Sequence, residues 1–414
     1  MTSVLKISRL GAQADGIADT EDGPVFVPFT LPGERVNASL AGKKADLVAV
    51  LEASPERVVP PCIHFGACGG CAIQHLQAES YRNWKRSILV DALRARRIDA
   101  EVDPLVPCAP NTRRRAALTA RKTEKGVLLG FNAALSHHIV DMQECHVLLP
   151  SIVERLDMFR ALGGLVGRTD KPFRLLVTQT ASGFDVAVEA SGVLEGKPRQ
   201  AVIDFCVKNG IARLSVDGET VIEPKKPVVM MDDIAVTPPS GGFLQAVEGA
   251  EKVMVQLVAA HLAKAKRVVD LFAGSGAFAL RLARHSEVHA VEGDGPALAA
   301  LDHAYRYASG MKKVTVEKRD LFRRPLTYKE LDLTYDGLVF DPPRAGAEDQ
   351  AKQIARSNVQ RVAAVSCNPI TLARDIQILI EGGYTLKRVV PVDQFLWSPH
   401  LEAVALLEKP KKRR

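Results

Sequence analysis

The sequence predicts an α/β protein in which a doubly wound parallel sheet forms the carboxyl-terminal part, preceded by a small β-barrel and an α+β middle domain. From about residue 235, strand-like runs alternate with helical ones, as in a parallel sheet with crossover helices. The first 57 residues instead hold short β-favouring runs separated by glycine and proline, which favours a barrel. Residues 111–230 mix strand-like runs with loops. The predicted domains are 1–57, 58–234 and 235–414.

Composition places the chain among globular proteins. Hydrophobic residues make up 47% of its 414 residues, too many for a disordered chain. Its formal net charge of +7 fits a polyanionic partner without requiring one. The first residues lack the apolar segment of a signal peptide, and no stretch approaches the ~18 apolar residues of a membrane span. We therefore expect a cytoplasmic protein that makes no membrane contact.

The cysteines suggest a metal centre. Their odd number, seven, indicates a reducing compartment rather than a disulfide framework. Cys62, Cys68 and Cys71 stand together in the glycine-rich run CIHFGACGGC, and Cys145 lies downstream. Four thiolates suit either zinc or an iron–sulfur cluster, and three close cysteines with one remote cysteine resemble cluster ligation. Reduced cysteines packed without a metal are the alternative. Three histidines lie nearby as alternative ligands: His64, His75 and His146.

A cofactor site is predicted by the run VVDLFAGSGAFALRLA, which reads as a buried strand, a turn at Gly274 and Gly276, and a helix that begins near Phe278. Open α/β sheets bind ligands at such turns. Glu292 closes the next strand, where a carboxylate can accept both ribose hydroxyls of an adenosine. Asp320, after the strand VTVEK, can contact the adenine amino group, although a surface turn is an alternative role for it. These features alone suit a nicotinamide cofactor or S-adenosylmethionine.

The run YDGLVFDPPRAG distinguishes the two cofactors. A strand ends there on Asp341, Pro342 and Pro343, and the prolines hold a stiff extended loop over the pocket. Such a loop can position a target base beside a methyl donor, whereas a nicotinamide enzyme has no general need for it. The sequence therefore predicts a domain that uses S-adenosylmethionine.

The following strand, RVAAVSCNP, places Cys367 at the same edge of the sheet. Carbon 5 of uracil becomes nucleophilic once a thiolate has added to carbon 6, so a cysteine beside a methyl donor predicts covalent catalysis. Glu402, in SPHLEAVALLEK, is the candidate base for the carbon-5 proton. A buried thiol and a strand-edge carboxylate are the alternative interpretations of these two residues.

With these motifs the chain resembles the RNA uracil-5 methyltransferase family along nearly its whole length. The resemblance rests on a TRAM-like, OB-type barrel, the CIHFGACGGC loop, DLFAGSGAF, VEGD, FDPPRAG, SCNP and the HLEAVALL ending. It implies that Cys367 is the nucleophile and Glu402 the base. It also implies that four cysteines ligate a 4Fe-4S cluster: Cys62, Cys68, Cys71 and Cys145. The cofactor contacts that it implies are Gln245, Phe272, Glu292 and Asp341.

Two positions depart from the family pattern: Val247 stands where many members have asparagine, and Ala277 where a polar residue is common. The combination of barrel and cluster favours 23S rRNA over tRNA as the substrate, and we expect a monomer. The runs NTRRRAALTARK and KPKKRR are candidate contacts to the RNA backbone. A catalytically silent RNA-binding protein and a nicotinamide oxidoreductase are the alternative functions. Cys108 and Cys206 receive no role.

Overall fold

The computed structural model describes residues 2–410, in which the strands form three six- or seven-stranded sheets and one two-stranded sheet. The first sheet has the strand order β1-β5-β6-β4-β3-β2. Buried and exposed residues alternate along β5, where Val36 and Ala38 face inward, as in a strand with one solvated face. The amino-terminal β-barrel of the predicted fold class is thus confirmed. The strands are Thr2–Lys6 (β1), Arg9–Leu10 (β2), Gly16–Thr20 (β3), Gly23–Val27 (β4), Arg35–Ala41 (β5) and Lys44–Glu52 (β6).

The middle of the chain forms a second sheet covered by helices. A helix runs from Ala78 to Ala95 (α1). The elements that follow are Arg115–Thr123 (β7), Gly126–Gly130 (β8), Pro150–Val153 (α2), Leu156–Val166 (α3), Phe173–Thr180 (β9), Gly183–Glu189 (β10), Gly196–Lys208 (α4), Ile211–Val216 (β11), Glu219–Ile222 (β12), Val229–Met231 (β13) and Ile234–Val236 (β14). The sheet order is β12-β11-β10-β9-β7-β8, and Phe159 of α3 packs with Leu118 and Val177 in its core.

The third sheet carries the predicted cofactor motifs. Its elements are Glu248–Leu262 (α5), Arg267–Leu271 (β15), Ala279–Leu282 (α6), Glu287–Glu292 (β16), Gly295–Tyr307 (α7), Val314–Lys318 (β17), Tyr328–Thr334 (α8), Gly337–Phe340 (β18), Glu348–Arg356 (α9), Arg361–Ser366 (β19), Pro369–Glu381 (α10), Thr385–Val392 (β20) and Glu402–Glu408 (β21). Strands β15, β18 and β19 are buried almost throughout, as expected for a parallel sheet with helices on both faces.

The order of the third sheet, β17-β16-β15-β18-β19-β21-β20, decides where side chains meet. Strands β15 to β19 are parallel, and the order reverses between β15 and β18, which is where open α/β sheets bind ligands. Strand β21 runs antiparallel between β19 and β20. Its first residue, Glu402, therefore lies at the edge where the parallel strands end.

Helix α1 packs against the third sheet, although the whole second sheet lies between them in sequence. Leu89 and Leu93 join the hydrophobic core on one side of that sheet, and Val102 and Val106 continue the chain beside β20. The predicted domain boundaries after residues 57 and 234 stay predictions. Between residues 2 and 410, no helix is long and apolar enough to cross a membrane.

Candidate active site

Cys367 and Glu402 lie across from each other at the edge where the parallel strands end. Ser366, the last residue of β19, pairs with Ala403 of β21, so the next residue of one strand faces the preceding residue of the other. Cys367 is half-buried, and Glu402 is only 3% exposed. The antiparallel direction of β21 therefore brings together two residues that are distant in sequence.

A chain of buried hydrogen bonds links Glu402 to Asp341. Gln394 Nε2 lies 2.7 Å from Glu402 Oε1 and 2.7 Å from Gln245 Oε1, and it donates to both. Gln245 Nε2 in turn donates to Asp341 Oδ2 over 3.0 Å. Glu402 Oε2 is buried and has no hydrogen-bond partner. One carboxylate oxygen is thus fixed by an amide while the other is free to accept a proton.

The electrostatics of the site favour protonated groups. Burial raises the pKa of Glu402, and the nearby Asp341 raises it further. Burial likewise raises the pKa of Asp341. Burial raises the pKa of the Cys367 thiol to about 11, with Glu402 and Asp341 adding to the rise and Arg344 opposing it. A positive charge placed among these groups would lower all three pKa values.

The glycine turn after β15 holds Glu292. Gly274 donates its backbone N–H to Glu292 Oε2 over 2.9 Å, and Asp294 N–H donates to Oε1 over 2.7 Å. Gly276 has φ +97°, and a Cβ there would come within 2.8 Å of Leu301 Cγ. The turn therefore needs glycine, and it presents the Glu292 carboxylate at the point where the sheet order reverses.

Phe272 begins this turn and faces an aromatic partner. Its backbone has φ +62°, and its ring centroid lies 5.4 Å from that of Phe322. Both rings line a small cavity of about 140 Å³, with residues 345–349 on its other side. Asp320 is exposed, and its Oδ1 accepts the backbone N–H groups of Phe322 and Arg323. The structure thus gives Asp320 a turn-stabilising role, and its contact with adenine stays a prediction.

The loop after Asp341 is tied to the cysteine turn. Asn368 donates its side-chain N–H to the Arg344 carbonyl over 2.9 Å, and its Oδ1 caps α10 by accepting the Ile370 N–H. Arg344 Nη2 lies 3.2 Å from His400 Nδ1. Asn368, the residue after Cys367, therefore holds the proline loop beside the thiol.

The four predicted cluster cysteines line a single cavity of about 460 Å³. Burial raises the pKa of each thiol, to about 12 for Cys71, and each of the four has its pKa raised further by at least one of the others. The four cysteines therefore lie around one cavity, and their role as cluster ligands stays a prediction. Within residues 2–410, no three histidine, cysteine or carboxylate side chains are arranged to bind a single metal ion. His64 accepts the Gln143 N–H, and His75 is fully buried beside Phe65.

Several basic residues that the sequence offers for RNA have other partners. Arg114 is buried and forms an ion pair with Glu251, so it is not available to a phosphate. Lys85, one of the basic residues of α1, is completely buried. Arg113 and Arg115 are half-buried, whereas Arg121 is exposed. Residues 411–414 of the basic tail KPKKRR lie outside the described part of the chain.

Sequence reasoning missed Gln394 and Phe322. Gln394 directly follows Asp393 at the carboxyl end of β20, so a polar pair at a strand end was the available signal. Phe322 gave none, because an aromatic residue in a surface loop is common. Of the two departures from the family pattern, Val247 is buried in the hydrophobic core, and Ala277 accepts a hydrogen bond from Arg281 through its carbonyl.

Comparisons with known proteins cover the whole chain. A sequence model of the family described as tRNA (uracil-5-)-methyltransferase matches residues 231–410. A protein of Mesorhizobium japonicum, named as an uncharacterized RNA methyltransferase, is 60% identical over all of both chains. The 23S rRNA (uracil(1939)-C(5))-methyltransferase RlmD of Halomonas elongata is 34% identical over 99% of this chain and 90% of its own.

A solved structure matches the fold. The tRNA (uracil-54, C5)-methyltransferase of Pyrococcus abyssi, in complex with S-adenosyl-L-homocysteine, has a TM-score of 0.76 at 23% identity, over 98% of this chain and 99% of its own. At that identity the match shows the shared fold. Since full-length relatives, the family model and the fold agree, this chain belongs to the RNA uracil-5 methyltransferase family, whose members methylate RNA with S-adenosylmethionine.

Proposed function

We propose that this protein methylates carbon 5 of a specific uridine in 23S rRNA, with Cys367 as the nucleophile and Glu402 as the base. The observation that carries the proposal is the pair itself: a half-buried thiol faces a buried carboxylate that has one oxygen free. A structural ion pair would not leave that oxygen unpaired, because a buried polar atom without a partner costs free energy.

The proposed reaction balances with these two residues. Cys367 attacks as the thiolate: Sγ bonds to carbon 6 of the uracil, and the electrons of the carbon 5–carbon 6 double bond form an enolate. Carbon 5 of the enolate would then take the methyl group of S-adenosylmethionine, whose sulfur–methyl bond breaks to leave S-adenosylhomocysteine. Glu402 Oε2 takes the carbon-5 proton. The electrons of the carbon 5–hydrogen bond restore the carbon 5–carbon 6 double bond, and the bond from carbon 6 to Sγ breaks to release the Cys367 thiolate.

The raised pKa values support an order of events. In the free protein, burial of the thiol, with Glu402 and Asp341 adding to it, raises the pKa of Cys367 to about 11 and favours the protonated thiol. The positive sulfonium of the methyl donor, next to Asp341, would lower that pKa and so favour the thiolate. Attack on the uracil is therefore favoured only after the donor has bound.

The methyl donor would bind where the third sheet reverses its order. Glu292 would accept its ribose hydroxyls, and Phe272 with Phe322 would hold its adenine, which Asp320 can contact at the edge. Gln245 and Asp341 would face its sulfonium end. The fixed position of Glu292 on the glycine turn supports this arrangement.

The choice of 23S rRNA rests on the Halomonas elongata relative, which acts on that RNA and shares 34% of its sequence over nearly the whole chain. The tRNA enzyme from Pyrococcus abyssi shares the fold at 23% identity. In either RNA the target base must leave its stack before a thiolate can reach carbon 6. A ribosomal substrate would place the protein in the cytoplasm.

We also propose that Cys62, Cys68, Cys71 and Cys145 hold a 4Fe-4S cluster. Four thiols lining one cavity match the ligand set of such clusters, and a cluster holds its thiolates farther apart than a single ion does. The cluster would join the segments around residues 62–71 and residue 145 into one rigid unit.

The decisive experiment follows methyl transfer and covalent capture together. The wild-type protein, Cys367→Ala and the control Cys206→Ala are incubated with labelled S-adenosylmethionine and transcripts of 23S rRNA or tRNA. We expect 5-methyluridine in 23S rRNA with the wild type and the control, and none with Cys367→Ala. RNA containing 5-fluorouridine should form a covalent adduct on a denaturing gel only when Cys367 is present.

Turnover by Cys367→Ala would contradict the covalent scheme. Label that appears in tRNA alone would show that tRNA, and not 23S rRNA, is the substrate. No label in any RNA with the wild type would overturn the proposed function.

A further inference from the structure

We infer that helix α1 contributes Lys85 and Tyr81 as positioning residues for proton removal, because with Asp393 they lock the loop that carries Gln394 and leads into Glu402. The inference rests on the proposed function. It adds residues from a distant part of the chain that touch neither substrate nor cofactor. We name this set, Tyr81, Lys85 and Asp393, the α1 clamp.

Lys85 fixes both ends of loop 393–401. It is completely buried, and its Nζ lies 3.2 Å from Asp393 Oδ1 and donates to the Phe395 carbonyl over 3.2 Å. It also donates to the carbonyl of His400, two residues before Glu402. One ammonium group therefore joins the start of the loop to its end.

Tyr81 fixes the middle of the same loop. Its hydroxyl donates to Asp393 Oδ2 over 2.6 Å and accepts the Trp397 N–H over 3.0 Å. Trp397 has φ +58°, a left-handed conformation that an L-residue adopts only when neighbouring contacts hold it. The hydroxyl supplies one of those contacts.

The chain just before α1 adds two more hydrogen bonds to the loop. Ala72 N–H and Ile73 N–H donate to the Trp397 carbonyl over 2.8 Å and 3.2 Å. These are the two residues that come after Cys71. Together, residues 72–85 therefore hold the loop through its side chains, its N–H groups and its carbonyls.

The chemistry of the clamp argues for positioning rather than for stability alone. Taking an ammonium and a carboxylate out of water costs much of what their attraction returns, and apolar residues often replace a buried ion pair without loss of stability. Lys85 does more than pair with Asp393, because two of its three hydrogen bonds go to loop carbonyls. These bonds select one conformation of the loop.

Loss of the α1 clamp should affect mainly one step of the reaction, the removal of the carbon-5 proton. Gln394 and Glu402 belong to the loop and its exit, whereas Cys367 follows β19 and lies outside the loop. Gln394 also donates to Gln245 of the proposed donor site, so the comparison is made with the methyl donor saturating. Under that condition a loosened loop should affect attack at carbon 6 and methyl transfer least. It should slow the transfer of the carbon-5 proton to Glu402 Oε2, and the methylated uridine would then stay bound to Cys367 Sγ.

The test compares Tyr81→Phe, Lys85→Met and the double variant Lys85→Met with Asp393→Leu against Asn83→Ala, an exposed change on the same helix. With unmodified RNA, we expect the first three to lose about 10- to 100-fold in turnover. The methylated covalent adduct should accumulate, and RNA with 5-deuterouridine should react more slowly. Adduct formation with 5-fluorouridine RNA should keep its wild-type rate, because that adduct needs no proton removal.

Thermal unfolding of each variant separates positioning from folding. Tyr81→Phe removes one oxygen atom and should fold. The double variant removes both charges, so it should recover stability relative to Lys85→Met without recovering turnover. Equal losses in turnover and in 5-fluorouridine capture, with no accumulated adduct and no isotope effect, would overturn the clamp. If the wild type itself forms no adduct, the proposed function fails instead.

Discussion

At the scale of single residues, Glu402 shows how the proposed chemistry opposes stability. The Glu402 carboxyl group is 3% exposed and has one oxygen without a hydrogen-bond partner. The folded protein therefore disfavours the charged form of this group. Such groups persist where function needs them. The unpaired oxygen and the raised pKa therefore have a measurable cost for the folded protein.

We predict that Glu402→Gln makes the folded protein more stable at alkaline pH. The pKa of Glu402 is raised above its ordinary value of 4.5, so the folded state binds its proton more tightly than the unfolded state does. Stability is therefore lost as pH rises from about 4.5 toward the raised pKa. Glutamine carries no charge to lose, and it can still accept the hydrogen bond from Gln394.

The measurement is urea unfolding at about pH 5 and about pH 8.5. The free energy of unfolding of Glu402→Gln relative to the wild type should rise by about 1 to 3 kcal/mol from the lower pH to the higher pH. Glu408→Gln, at the other end of β21, controls for the loss of a carboxylate. A stability difference between variant and wild type that does not change with pH would show that folding does not raise the pKa of Glu402.

At the scale of elements, the positions of residues at strand ends could be predicted from the sequence, whereas contacts made by a loop could not. Cys367 and Asp341 were predictable because each directly follows a buried strand, and parallel strands end at one edge. The role of Lys85 was not, because a lysine in an amphipathic helix normally faces solvent. Its burial depends on loop 393–401 folding back over α1, a contact between residues that are more than 300 positions apart.

The geometry of the cysteine loop, residues 62–71, depends more on Gly69 than on Gly70. A Cβ on Gly69 would lie 2.8 Å from the Asn132 carbonyl oxygen and 2.9 Å from Ala134 N, both backbone atoms. A Cβ on Gly70 would meet nothing closer than Cys68 Sγ at 3.5 Å. We predict that Gly69→Ala pushes the loop away from residues 132–134, whereas Gly70→Ala is tolerated.

Iron content and visible absorbance after anaerobic purification check this prediction. Wild type and Gly70→Ala should be brown and bind iron. Gly69→Ala should bind markedly less, and Cys68→Ser should lose the colour. Equal iron in the two alanine variants would show that the contact with residues 132–134 does not shape the cluster loop. A colourless wild type rich in zinc would contradict the cluster itself.

At the scale of the whole molecule, one buried carboxylate joins the second sheet to the third. Glu251 of α5 is 1% exposed and lies 2.6 Å from Arg114 Nη2 and 2.8 Å from Arg281 Nη1. Arg114 precedes β7 and also donates to the Gln245 carbonyl over 3.1 Å. The same contact that joins the sheets therefore supports a residue of the proposed methyl-donor site, and no pattern in the sequence indicated it.

We predict that Glu251→Gln costs the protein about 3 to 5 kcal/mol, because it leaves two buried guanidinium groups without their shared counter-charge. Glu248→Gln, one turn earlier on the same helix, breaks an exposed ion pair with Lys252 and should cost less than about 1 kcal/mol. Urea unfolding gives both values. Because Arg114 supports Gln245, titration calorimetry should also show weaker S-adenosylmethionine binding for Glu251→Gln and unchanged binding for Glu248→Gln. If the two variants unfold alike, the two sheets are held together by packing rather than by this carboxylate.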